Sequence, residues 1–163
     1  MVFGMTTFTL VHVLLSLIGI LSGFMVLYGL VTSNLMNGWT TVFLAATLAT
    51  SVTGFFFPFH GVTPGIVLGV LSIIALAGAA AGRYGFHLAG AWRGIYVAGS
   101  VAALYFNVFV LVAQAFDKIP ALHALAPTKP PSGPAFAISQ GIVLVFFVVV
   151  GVLAVRRFRP ATA

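Results

Sequence analysis

Cysteine is absent from the sequence, which excludes disulfides, thiolate nucleophiles and cysteine metal sites and leaves the redox compartment undetermined. Acid is almost absent too: Asp117 is the single acidic residue among 163. Chemistry that needs two carboxylates from one chain is therefore excluded. A proton- or sodium-coupled carrier usually sets a carboxylate near the bilayer midplane, and none falls there. Charge of either sign is scarce, at 5% of residues, against roughly a quarter in an ordinary soluble domain. Eight charged side chains cannot cover a water-facing surface of this size, so a soluble globular fold is excluded. No glycine-rich phosphate loop, nucleophile-elbow serine or His-Glu-x-x-His pattern occurs either. Enzymatic activity from this chain alone is not expected, and no resident cofactor is required.

What is present is apolar residue, 61% of the chain. A spanning helix needs about 20 such residues, because about 30 Å of hydrocarbon is crossed at about 1.5 Å per residue. Five stretches reach that length, at about 7–31, 39–57, 62–82, 94–116 and 136–155, and none contains Asp, Glu, Lys or Arg. The runs are continuous and do not alternate, which favours helices over barrel strands. The sequence thus predicts an all-α integral membrane helical bundle of five transmembrane helices in one domain. The first stretch has no basic n-region and no small-residue cleavage pattern behind it, so it is expected to be retained as a span.

The basic residues set an orientation. Arg83 and Arg93 bracket the connection between the third and fourth stretches, and Arg156, Arg157 and Arg159 follow the fifth. With five spans these regions share one face, while Lys118 and Lys129 lie on the other, offset by Asp117. The positive-inside rule then places the C-terminus in the cytoplasm and the N-terminus outside. Tyr28, Trp39, Tyr84, Trp92 and Tyr96 are expected at the inner boundary as an aromatic belt. The net charge of +6 is read as topology and as contact with anionic lipid through Arg83, Arg93, Arg156, Arg157 and Arg159. It does not suggest nucleic-acid binding, since no basic stripe or aqueous domain exists to carry it.

Small and polar residues recur at helical spacing and predict packing faces, because helices in lipid associate through close contact and interhelical hydrogen bonds. His12, Ser16, Gly19 and Gly23 form one stripe; Thr40, Thr47, Ser51 and Gly54 form a second. Gly65, Gly69, Ser72 and Ala79 form a third. Ser100, Asn107 and Gln114 recur every seven residues on the fourth stretch, beside Gly99 and Ala103. The fifth stretch carries only Ser139 and Gln140 near one end and is expected at the periphery, against lipid or a partner subunit. The long connection 117–135 holds five prolines and reads as an outer loop whose first part lies on the membrane surface.

Two patterns could carry function. His12, His60 and His123 are predicted on the outer side, where converging imidazoles could bind haem or a metal in a redox component. The run Phe55–Phe57 with Phe59 could contact a quinone. The plainer alternative makes His12 a neutral helix-bridging group and the other two interfacial residues. Ser16, Ser100, Asn107, Gln114 and Gln140 either pair helices or line a polar cavity, the latter giving a small uncoupled permeation pathway. His87, between Arg83 and Arg93, reads as part of a cationic inner loop.

Three segments, Thr50–Phe59 (TSVTGFFFPF), Gly82–Val97 (GRYGFHLAGAWRGIYV) and Gln114–Thr128 (QAFDKIPALHALAPT), resemble parts of small multi-span bacterial inner-membrane proteins. Those are hypothetical proteins with no activity attached. The resemblance implies a multi-pass protein of the cell inner membrane, working with lipid, a protein partner or further copies of itself, and implies no mechanism.

Overall fold

The computed structural model describes residues 6–58, 61 and 63–160. All regular structure among them is helical. In chain order the elements are α1 (Thr7–Val31), α2 (Asn37–Gly54), α3 (Pro64–Ala80), continued by a π-helical turn at Ala81–Gly85, α4 (Ala91–Lys118), the short α5 (Pro120–His123) and α6 (Pro134–Arg157). Four helices are long and apolar enough to cross a membrane: α1, α3 with its π-turn, α4 and α6. The remaining long helix, α2, has 18 residues and carries Asn37, Trp39 and six Thr or Ser side chains, which lowers its apolar character.

Local chemistry sets the ends. Thr6 caps α1 by accepting from the Thr9 amide, and Thr63 caps α3 ahead of Pro64 by accepting from the Ile66 amide. Helix α2 stops at Gly54, earlier than the apolar run suggests. The amides of Phe55 and Phe56 bond back only three residues, to Val52 and Thr53, and Pro58 follows. Tight i→i+3 bonds and a coming proline both end a helix. Helix α4 runs to Lys118 because Ile119, ahead of Pro120, is extended at φ −91° and ψ 116°. The connection to α6 is therefore part helix: α5 occupies Pro120–His123, with Ile119 and Leu125 exposed beside it.

Helices α1 and α2 lie antiparallel along their whole length. His12 meets Thr53, Gly19 meets Thr47, Gly23 meets Phe43 and Gly29 meets Met36. Helix α4 is central, touching α1, α2, α3 and α6. Its Gly99 abuts Ala75 and Ala79 of α3, and its Leu104 reaches Gly23 of α1. Helix α6 packs on α4 and on part of α1, and is the least enclosed of the four long apolar helices. Its Ile138, Ile142, Val145 and Val148 are all more than half exposed. Exposed aliphatic side chains cover the outside, while Phe43, Tyr96, Leu104 and Phe147 sit inside. Apolar side chains outside as well as inside suit hydrocarbon surroundings.

The arginines gather at one end of this bundle and Asp117 stands at the other, about 35 Å away along α4. Of the predicted aromatic belt, Tyr28, Trp39 and Tyr84 are exposed at the arginine end, but Tyr96 is 1% exposed. Its ring is enclosed by the bundle and its hydroxyl lies 3.2 Å from Thr40 Oγ1, so it serves as core.

Candidate functional site

Of the polar residues singled out in the sequence, His12, Asn107 and Gln140 each close a helix contact, while Ser16, Ser100 and Gln114 do not. Near the Asp117 end, His12 Nδ1 lies 2.8 Å from Thr53 Oγ1. The Thr53 hydroxyl gives its one proton to the Ala49 carbonyl at 2.7 Å, so it accepts from the imidazole N–H. The His12 ring and that of Phe57 meet edge to face, with centroids 4.9 Å apart. Ser16 does not extend this pair, since its hydroxyl donates to the His12 carbonyl of its own helix.

Deeper in the bundle, Asn107 Nδ2 donates to Thr47 Oγ1 at 3.1 Å, joining α4 to α2. Gly19 lies against both side chains, and the missing Cβ there allows three helices to meet around one amide. Gln140 donates through Nε2 to the Phe109 carbonyl at 3.0 Å, tying α6 to α4. Ser100 is buried at 2% exposure. Gln114, in contrast, is exposed. The seven-residue recurrence of Ser100, Asn107 and Gln114 thus places them in three different surroundings. Two grooves of about 450 and 440 Å³ open on the bundle's outer surface, one between α2 and α3 and one between α4 and α6, and neither is lined by these residues.

Of the other two histidines expected to converge with His12, His123 sits half-buried in α5 with Nδ1 enclosed and unpartnered among the described residues. His60 lies outside the described residues. Among the described residues no group of three His or Asp side chains comes together as metal ligands.

The cationic end is more organised than the sequence suggests. Arg83 lies within the π-helical turn, a feature often found at functional sites. Its Nη2 donates to Asn37 Oδ1 of α2, and its guanidinium carbon stands 5.7 Å from the centroid of the Tyr84 ring. The Tyr84 hydroxyl is 3.1 Å from Thr41 Oγ1. Two rungs therefore join α3 to α2 side by side. Phe86 stacks on Trp92 at 3.8 Å and folds the following turn back onto α4. The sequence marks Arg83 as a topology residue in contact with anionic lipid but not as a partner of α2; Asn37 and Thr41, one turn apart and next to Trp39, were the available signal.

Comparison with protein families, curated proteins and solved structures gives no match to this chain.

The Thr47–Asn107 bond is open to direct measurement. Thr47→Val and Asn107→Leu are each expected to cost about 1 kcal/mol, since interhelical hydrogen bonds in membranes average about 0.6 and reach about 1.7 kcal/mol. The double variant should cost clearly less than the two summed, which a double-mutant cycle of unfolding in denaturing detergent would read.

Proposed function

We propose that the chain is a five-span protein of the bacterial inner membrane, with its N-terminus outside and its arginine end in the cytoplasm, that is not an enzyme and works through its outer surface with lipid or a protein partner. The fifth span in this reading is α2. Its support is the antiparallel register with α1, whose pairs run from His12 with Thr53 to Gly29 with Met36. Eighteen residues rise about 27 Å, close to the hydrocarbon thickness.

The observation that carries the functional part is the use made of interior polarity. His12, Thr47, Asn107, Tyr96 and Gln140 each spend a polar group on a neighbouring helix. The chain's variety lies outside, in the apolar face of α6 and the arginine end. Purified protein in liposomes is expected to give solute flux equal to empty vesicles and to show no Soret band. Flux above that baseline, or a bound chromophore, would overturn the reading.

Orientation has its own test, and the lack of native cysteine makes it clean. Ser132→Cys, in the connection before α6, is expected to react with an impermeant maleimide in intact spheroplasts. Ala89→Cys, in the connection before α4, should react only after permeabilisation. The opposite pattern would invert the topology, and labelling of both from one side would remove a span.

A further inference from the structure

We propose that the arginine end of the α2–α3 pair is a binding site for one anionic phospholipid, whose phosphate is held by Arg83, itself positioned by Asn37, Thr41 and Tyr84, and whose acyl chain lies in the groove between the two helices. The proposal rests on the reading of the bundle as membrane-embedded, and commits to an occupant on three observations.

The first is an uncompensated charge. Arg83 is half-buried, and its Nε is enclosed with no hydrogen-bond partner among the described residues. Its guanidinium meets a neutral amide and an aromatic ring, and the one acidic side chain of the sequence, Asp117, is at the far end of α4. A guanidinium presents five donors in a planar fork suited to phosphate, so neutral contacts leave most of its capacity unspent. The second is convergence. Thr41 gives its hydroxyl proton to the Asn37 carbonyl and so accepts from the Tyr84 hydroxyl at 3.1 Å, which holds the Tyr84 ring and Asn37 in place beside that cation.

The third is the groove itself. It has a volume of about 450 Å³, is walled by Leu44, Leu48, Ile73 and Leu76, and ends at Thr41 and Tyr84. Between Ile73 and Tyr84 the helix rises about 16 Å, enough for most of an acyl chain. Ala45 and Ala77, small exposed residues in its lining, leave it open to the surroundings. A free inorganic anion would use the polar end and leave the groove empty, whereas a phospholipid fills both. The α4–α6 groove supplies the contrast: it is similar in volume and reaches Arg156, an exposed arginine at the end of α6.

The test uses the full chain in neutral detergent, with helicity checked by circular dichroism before lipid is added. Loss of helicity at that stage would count against the bundle itself, and leaves the lipid question visibly separate. Adding phosphatidylglycerol is expected to raise the thermal midpoint by about 5 °C over phosphatidylcholine, as a ligand that binds the folded state should. Arg83→Gln should abolish the difference and Arg156→Gln should retain most of it. Ala45→Phe, which plugs the groove without touching the cation, should cut it by at least half, and covers the case in which Arg83→Gln fails to fold. Equal midpoints in the two lipids, equal losses from the two arginine variants, or a full rise with inorganic phosphate alone would each overturn the proposal.

Discussion

Replacing Gly99 by leucine is expected to destabilise the bundle by about 3 kcal/mol, the upper end of overpacking costs. A Cβ at this position would stand 2.5 Å from the Ala75 carbonyl oxygen and 3.2 Å from the Ala79 amide nitrogen. Both are backbone atoms of α3, so no side-chain rotation relieves the overlap and the helices must part. Separation has little to offset it in lipid, where no hydrophobic drive pulls helices back together and van der Waals contact supplies the attraction. Ala79 is 0% exposed and would lose its packing at the same time. Gly94, on the same helix, is the control. A Cβ there meets nothing within 4 Å. Leucine has the better helix propensity by close to 1 kcal/mol, so Gly94→Leu should be neutral or slightly stabilising. Unfolding midpoints in a denaturing-detergent titration followed by circular dichroism would separate the two. Similar losses at both positions would mean that α3 and α4 are not held by this contact.

The same contact positions the arginine end. One turn beyond Ala79, Gly82 lies against the Trp92 carbonyl, with 2.7 Å left for a Cβ, and Arg83 follows directly. Displacing α3 from α4 at Gly99 would therefore shift Arg83 away from Asn37. Gly99→Leu should lower the lipid-free midpoint and reduce the lipid-specific difference together, while Arg83→Gln, which gives up one exposed bond to Asn37, should remove the difference with a much smaller fall in the lipid-free midpoint.

Helical architecture and helices of membrane-spanning length were legible because they follow from sums: too few charges for water, and long apolar runs. The ends were less so. Phe55–Phe57 count as apolar whether they continue α2 or leave it, and only the coming Pro58 and the short-range bonds decide. Tyr96 looked like a belt residue because its neighbours in sequence are interfacial, yet its ring direction turns it to Thr40. Pairings such as His12 with Thr53 depend on the offset between two helices, which no periodicity within either helix encodes. Gly19 and Gly23 were readable as packing positions, since a regular small-residue stripe marks a face. Gly99 and Ala79 were each readable as packing positions on their own helices, but that they meet each other, backbone against Cβ, was not. The Arg83 arrangement was hidden for a related reason: its partners come from α2, 46 residues away for Asn37.

Phe43→Ala is expected to cost about 2 kcal/mol, while Leu21→Ala should cost almost nothing, although sequence alone gives no reason to separate them. Phe43 is 0% exposed and Leu21 is 68% exposed. In water a truncation forfeits whatever apolar area the side chain buries, which is large for Phe43 and small for Leu21. In lipid that transfer contribution vanishes for Leu21, whose methyl groups exchange one hydrocarbon neighbour for another. Phe43 differs because it fills the junction of α1, α2 and α4, lying with Leu104 against Gly23. Removing the ring empties about 100 Å³, which at about 24 cal/mol per Å³ gives the stated loss. Lipid tails cannot enter to repair a cavity enclosed by three helices, so the penalty persists where the transfer contribution does not. The comparison also bears on how the protein works. Leu21 lies on the outer face of α1, and an equal cost at both positions in native membranes would mean that this face is covered by protein. If Leu21→Ala is costly in membranes but silent after purification in detergent, the covering surface belongs to a partner lost on extraction. Silence in both settings leaves lipid as the neighbour of α1 and turns the search for a partner to the exposed face of α6.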